Sequence, residues 1–105
     1  MSNDRELVEN AAKAAGVEVI WHQAWNQFVF KTTYQKWNPL NDDGDEARLE
    51  AVLGLNVLWG SRTVTVGRRH FGLFEERYQE HGRDKQAARR RAGVRAAAEI
   101  GRNMK

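Results

Sequence analysis

The chain has 105 residues, of which 41% are hydrophobic and 30% charged, a balance typical of one globular domain and not of a disordered segment. It contains no cysteine, which excludes disulfide bonds, thiolate catalysis and zinc–thiolate sites. No apolar run reaches the roughly 18 residues that span a bilayer. The polar N-terminus does not resemble a secretory signal, so we expect a cytoplasmic protein without a membrane partner.

The charge of the chain is unevenly distributed. Residues 1–61 carry a net charge of −4 and residues 62–105 carry +7, which together give the +3 of the whole chain. Such asymmetry is a hint of an anionic partner for the second half of the chain.

The first half of the chain predicts a helix followed by a hairpin. Residues 3–15 have an apolar stripe at helical spacing, and Gly16 is suited to end that helix in a left-handed conformation. Residues 17–21 then alternate with the period of a strand, and residues 27–32 form a second strand rich in aromatic and β-branched side chains. Because the link between them is short, we expect the two strands to pair antiparallel.

A second helix is predicted to begin with a capping box of Asp43 and Glu46 and to end at about residue 53. Its expected buried side chains are Ala47, Leu49, Val52 and Leu53. Residues 55–59 and 62–66 predict a second hairpin. Residues 69–79 fit either a strand or a helix face, and we favour a strand because glycine and aromatic residues disfavour a helix there.

The last predicted helix begins after the turn and N-cap at residues 82–84 and runs from residue 85 to about residue 102. It is rich in alanine and arginine, which are both strong helix formers. Its expected buried stripe consists of Ala92, Gly93, Ala96, Ala97, Ile100 and Met104. The element order α-β-β-α-β-β-(β)-α predicts a single α+β domain over residues 1–105, an α-β-α sandwich with a mostly antiparallel sheet of four to five strands and three helices.

Acidic residues cluster between residues 41 and 46 and raise the question of a metal site. The calcium loop of an EF-hand would place its first ligand on Pro39, which has no side-chain oxygen, so that motif fails. We interpret the cluster as helix capping and dipole compensation. A weak magnesium site at Asp42, Asp43 and Asp45 is the alternative.

No catalytic constellation is evident in the sequence. The three histidines are scattered, and the only serines are Ser2 and Ser61, so a nucleophile–histidine arrangement is improbable. We therefore predict a protein that is not an enzyme, with no catalytic, metal-binding or cofactor-binding residues and no cofactor.

The four tryptophans are candidates for either the core or a contact surface. Strand positions predict core for Trp21 and Trp59. Trp25 falls in the connection of the first hairpin, where exposure is expected, and an exposed tryptophan in a loop is a typical interface anchor.

The basic last helix is the strongest candidate for a binding surface. Its arginines predict a surface for an anion or a partner, which would bind nucleic acid with strong salt dependence. The alternative is a solvated helix face that keeps a small protein soluble. The candidate residues are Arg89, Arg90, Arg91, Arg95 and Arg102, and Arg83 and Lys85 precede them in the same basic run.

The segment Trp37-Asn38-Pro39-Leu40, followed by Asp42-Asp43-Gly44-Asp45-Glu46 and Arg48-Leu49, resembles a family of small phage and prophage proteins, the phage ABA sandwich domain. The opening helix and the alanine-rich last helix are also similar to that family, whereas residues 68–80 match no motif of it. The residues that define the central motif are Trp37, Pro39, Asp43, Gly44 and Glu46. The resemblance implies an α-β-α sandwich from a bacteriophage and brings no catalytic residues with it.

From these observations we expect a non-enzymatic phage or prophage accessory protein in the cytoplasm of the bacterial host. Its expected action is to bind a host or phage protein, for instance to inhibit a host factor. Nucleic-acid binding through the last helix is the alternative, and a structural role in the virion is a further one.

Overall fold

The computed structural model describes residues 4–69 and 72–104, which form three α-helices, five strands and a short 3-10 helix. In chain order these are α1 (Asp4–Ala15), β1 (Val19–His22), β2 (Gln27–Phe30), α2 (Asp43–Leu53), β3 (Asn56–Trp59), β4 (Thr63–Arg68), β5 (Gly72–Arg77), the 3-10 helix (Tyr78–His81) and α3 (Lys85–Arg102). The predicted α+β class and element order are confirmed. Residues 72–77 are a strand, as we favoured, while His70 and Phe71 lie outside the described residues.

The strands belong to two antiparallel sheets, whereas we predicted a single sheet. The strands β1 and β2 form a hairpin in which Val19 is opposite Phe30. The other sheet has the order β3-β4-β5, so β4 is central and β3 and β5 are edges. After β2 the chain folds back, and Lys36 forms an isolated antiparallel bridge with Val29 rather than part of a further strand.

The helix α3 lies in the middle of the fold, where it contacts α1, α2, β4 and β5. Its small residues allow this close packing, because a Cβ at Gly101 would lie 1.8 Å from the backbone oxygen of Asn10 on α1. The predicted stripe is buried up to Ile100. Met104 is exposed, so its predicted burial is wrong, because the helix ends at Arg102 and Met104 lies beyond it.

The buried residues form two apolar clusters on the two sides of α3. One joins α1, the first hairpin, α2 and α3, and it includes Phe28 and Trp37. The other joins α3 to the three-stranded sheet through Val64, Val66 and Tyr78. None of the described helices combines the length and the apolar character that a membrane crossing needs.

The buried face of α2 differs from the one that we predicted. Leu49 and Leu53 are buried as expected, but Val52 is 65% exposed and Ala47 is also exposed. The carboxylic residues Asp45, Glu46 and Glu50 take their place on the buried face. The helix therefore packs through its acidic groups, for which the neighbouring elements must supply partners.

Candidate functional site

The five arginines predicted as a binding surface all lie on α3, and each has a partner within the chain. Arg89 pairs with two acidic residues of α2. It donates from Nε to Glu50 Oε2 at 2.8 Å and from Nη2 to Glu50 Oε1 at 3.0 Å. Its Nε also lies 3.2 Å from Glu46 Oε1. This bidentate pairing is the strongest geometry of an arginine with a carboxylate, and it joins α2 to α3.

The next two arginines connect α3 to more distant parts of the chain. Arg90 donates from Nε to the backbone oxygen of Leu40 at 2.8 Å and from Nη1 to Asp43 Oδ1 at 2.6 Å. Arg91 donates to Asp4 Oδ1 at 2.6 Å, which ties α3 to the start of α1. Both arginines thus serve contacts between elements.

Arg95 and Arg102 complete the set. Arg95 pairs with Glu76 on β5 and also donates to the backbone oxygen of Glu75 at 3.1 Å. Arg102 donates to Glu99 Oε2 at 2.8 Å on the same helix. An incoming phosphate would have to displace an acidic partner from each of the five arginines, so this surface is far less positive than its sequence indicates. Their role in binding an anion or a partner stays a prediction.

Glu46 is the least expected feature of the interface between α2 and α3. Its side chain is only 1% exposed, and its Oε2 accepts no hydrogen bond. It fits there because α3 has Gly93 opposite it, where a Cβ would lie 2.4 Å from Glu46 Oε2.

The pKa of Glu46 is raised from 4.5 to about 9, chiefly by burial; a hydrogen bond with Glu50 and the charge of Glu50 contribute to the rise, while the charge of Arg89 opposes it. Glu46 is therefore a neutral carboxylic acid at neutral pH. The hydrogen bond to Glu50 also raises the pKa of Arg89, which keeps its charge. The three side chains form one buried cluster in which Arg89 and Glu50 are the ion pair and Glu46 carries the proton.

The motif that includes Trp37, Pro39 and Gly44 forms the loop that leads into α2 and the first turn of that helix. Trp37 and Pro39 are buried, and the Trp37 N–H donates to the Phe28 oxygen at 3.1 Å. The Asn38 N–H donates to Asp45 Oδ2 at 2.9 Å. Gly44 lies in the first turn of the helix. These contacts make the motif a structural clamp between β2 and α2.

The predicted capping box of Asp43 and Glu46 is wrong, because the helix begins one residue earlier. The N-cap is Asp42, whose Oδ1 accepts from the Asp45 N–H at 2.8 Å, while Asp43 pairs with Arg90 and Glu46 is buried. In the part of the chain that the structure describes, no group of three or more histidine or acidic residues is placed to hold a metal ion.

Trp25 is 52% exposed at the turn between β1 and β2. Its ring stacks on His22 with centroids 4.0 Å apart, and Lys36 Nζ lies 5.9 Å from the ring centroid. The ring is thus held by its neighbours while about half of the residue's surface remains exposed. Its role as an interface anchor stays a prediction.

The strand β3 exposes two large apolar side chains, one of which, Trp59, we predicted to lie in the core. Trp59 is 49% exposed, so its predicted burial is wrong, and its neighbour Leu58 is 60% exposed. The reason is that β3 is an edge strand, while α3 contacts β4 and β5. Alternation places Leu58 on one face of the sheet and Trp59 on the other, at its margin.

Comparison of the chain with protein-family models, with curated proteins and with solved structures finds no match. The resemblance to the phage ABA sandwich domain therefore stays a prediction.

Proposed function

We propose that the protein is a non-enzymatic accessory protein of a phage or prophage, which acts in the bacterial cytoplasm by binding a host or phage protein. The observation that carries this proposal is the open edge of β3. In the described chain no strand pairs with its outer side. An edge with unpaired backbone groups is a template for a strand from another chain.

The register shows which backbone groups are available at this edge. The Gly60 N–H donates to the Thr63 oxygen at 2.8 Å, so these residues form a hydrogen-bonded pair at the turn. Because such pairs alternate along an antiparallel ladder, Leu58 bonds to β4, whereas the backbone groups of Val57 and Trp59 point to the open side. An extended partner segment would pair with those two residues.

The side chains of β3 favour the same use. The strand reads Asn-Val-Leu-Trp, with no charge and no proline to prevent pairing. The opposite edge strand, β5, carries Glu75, Glu76 and Arg77, which protect it. A partner strand with apolar side chains on both faces would cover Leu58 on one face of the sheet and Trp59 on the other.

Nucleic-acid binding through α3 is less well supported, because each of the five α3 arginines already has an anionic partner. The ion pairs of Arg91 and Arg102 are the most exposed of the five and would be the first that a phosphate could open.

The test compares capture of bacterial proteins by the wild type, by Trp59→Lys and by a control, Val52→Lys. Both substitutions place a lysine at an exposed apolar position, but only the first lies at the edge. We expect one protein to be captured by the wild type and the control and at least tenfold less by Trp59→Lys. Adding that purified protein should protect the amides of Val57 and Trp59 from hydrogen exchange.

Equal capture by all three proteins, or no captured protein, contradicts the proposal. Sedimentation distinguishes a further case, in which the purified wild type forms a dimer that Trp59→Lys dissociates. That result would place a second copy of this chain on the edge and would also contradict the proposal.

A further inference from the structure

Four cationic side chains surround one cavity of about 440 Å³ at the end of the three-stranded sheet. They come from three separate segments, since Arg62 lies in the turn after β3, Arg77 ends β5, and Arg83 and Lys85 flank the start of α3. We propose that this cavity, which we call the basic cleft, binds a compact oligophosphate such as the phosphate chain of a nucleotide.

Among the residues that the structure describes, these cations have no anionic partner, in contrast to the arginines of α3. Over residues 4–69 and 72–104, the side chains of Arg62, Arg77 and Arg83 enter no ion pair or hydrogen bond. Lys85 Nζ lies 5.3 Å from the centroid of the Tyr78 ring. Charges of one sign gathered around a cavity focus the field on an incoming anion.

The acidic residues nearest in the chain do not neutralise the basic cleft. The Asp84 carboxylate accepts from the N–H groups of Gln86 and Ala87 at 3.0 and 3.1 Å as the N-cap of α3. None of Glu76, Glu80 and Asp84 lines the cavity, which carries a formal charge of +4 from its side chains.

Two hydrogen bonds of Tyr78 hold the floor of the basic cleft. Tyr78 is buried, and its hydroxyl donates to the Gly60 oxygen at 2.8 Å. Its N–H donates to the Arg62 oxygen at 3.0 Å. These two bonds hold the β3–β4 turn against the end of β5, so that Arg62 and Arg77 stay side by side.

The backbone at Arg83 adds an independent observation. Its φ is +67°, in the left-handed region that large side chains rarely adopt, and it directly follows Gly82 at +62°. Glycine or asparagine would suit this position better. An arginine held there at a cavity mouth is the kind of local strain that occurs at ligand-binding sites.

The chemistry of the basic cleft indicates phosphate, and its shape indicates a compact ligand. Arginine forks bind phosphate oxygens in pairs, and three arginines with one lysine balance the charge of an oligophosphate. The volume lies within the about 300–1,000 Å³ usual for small-molecule sites. A nucleic-acid strand would instead need cations that follow an extended groove.

The experiment measures binding of inorganic pyrophosphate by calorimetry and of a labelled oligothymidylate by fluorescence anisotropy, at low and moderate salt. The double variant Arg77→Ala/Arg83→Gly removes two charges from the basic cleft. The matched control, Arg91→Ala/Arg102→Ala, removes two charges from α3, so both variants have the same net charge.

We expect pyrophosphate to bind the wild type, with affinity at least tenfold lower in the basic-cleft variant and changed less than twofold in the control. Absence of pyrophosphate binding at low salt overturns the proposal, and so does an equal loss in both variants. Binding of the oligothymidylate without pyrophosphate also overturns it and would direct attention to a nucleic-acid strand.

Discussion

The buried acid Glu46 leads to a prediction about how the stability of the protein depends on pH. Its pKa is about 9 in the folded chain and near 4.5 in the unfolded chain. Between these values the folded state holds a proton that the unfolded state releases. The free energy of unfolding therefore falls as pH rises through this window, and Glu46→Gln, which cannot ionise, removes that part of the fall.

The magnitude follows from the proton linkage. One proton of difference between the two states changes the free energy of unfolding by about 1.4 kcal/mol per pH unit. Across two pH units within the window, the wild type should lose roughly 2.5 kcal/mol more than Glu46→Gln. Since glutamine keeps the size of the side chain and remains neutral, it should occupy the same space opposite Gly93.

Urea denaturation of both proteins at pH 5.5 and pH 7.5 gives the four free energies that are needed. The control is Glu99→Gln, which removes a partly exposed carboxylate on α3 and should leave the difference between the two pH values close to that of the wild type. If the wild type and Glu46→Gln lose the same stability between the two pH values, Glu46 is ionised in the folded protein and the reasoning is wrong.

Three further predictions concern single side chains, each measured by urea denaturation. Gly93→Ala should lower the free energy of unfolding by about 1–3 kcal/mol, because its Cβ would overlap Glu46; an unchanged value would mean that the two helices do not meet there. Val52→Lys should change the free energy of unfolding by no more than about 0.5 kcal/mol, since Val52 is exposed. A large loss of stability would show that Val52 belongs to the core. Arg83→Gly should stay within about 1 kcal/mol of the wild type, because glycine tolerates a φ of +67°; strong destabilisation would show that the Arg83 side chain supports the fold.

Local signals were sufficient to predict most element boundaries. Gly16 ends α1 with a φ of +71°, and Asp84 caps α3 through its carboxylate. Each of these residues acts on backbone groups within a few positions of itself, so its effect can be predicted from the local sequence. A strand was also predicted from local composition within residues 69–79, and the structure has it at residues 72–77, followed by the 3-10 helix.

The buried face of α2 could not be predicted in the same way. Helical spacing favoured Val52 and Ala47, because they are apolar, over Glu46 and Glu50. Burial of those two acids depends on Arg89, which lies 39 residues after Glu50. The same reason explains why the arginines of α3 were interpreted as a free surface, since their acidic partners are mostly distant in sequence.

Only two of the four cations of the basic cleft could be grouped from the sequence. Arg83 and Lys85 belong to the basic run before α3, but Arg62 and Arg77 are isolated cations in the sequence. They meet because β4 and β5 pair with Thr63 opposite Arg77. A strand register that brings the start of one strand beside the end of another has no local signature.

We propose that the protein binds a partner at the β3 edge and not through the basic helix. The most direct measurement is the capture of bacterial proteins by the wild type, by Trp59→Lys and by Arg91→Ala/Arg102→Ala under identical conditions. We expect capture of that protein to fall at least tenfold with Trp59→Lys, while the arginine variant still captures it. Loss of capture by the arginine variant, with full capture by Trp59→Lys, would contradict binding at the β3 edge.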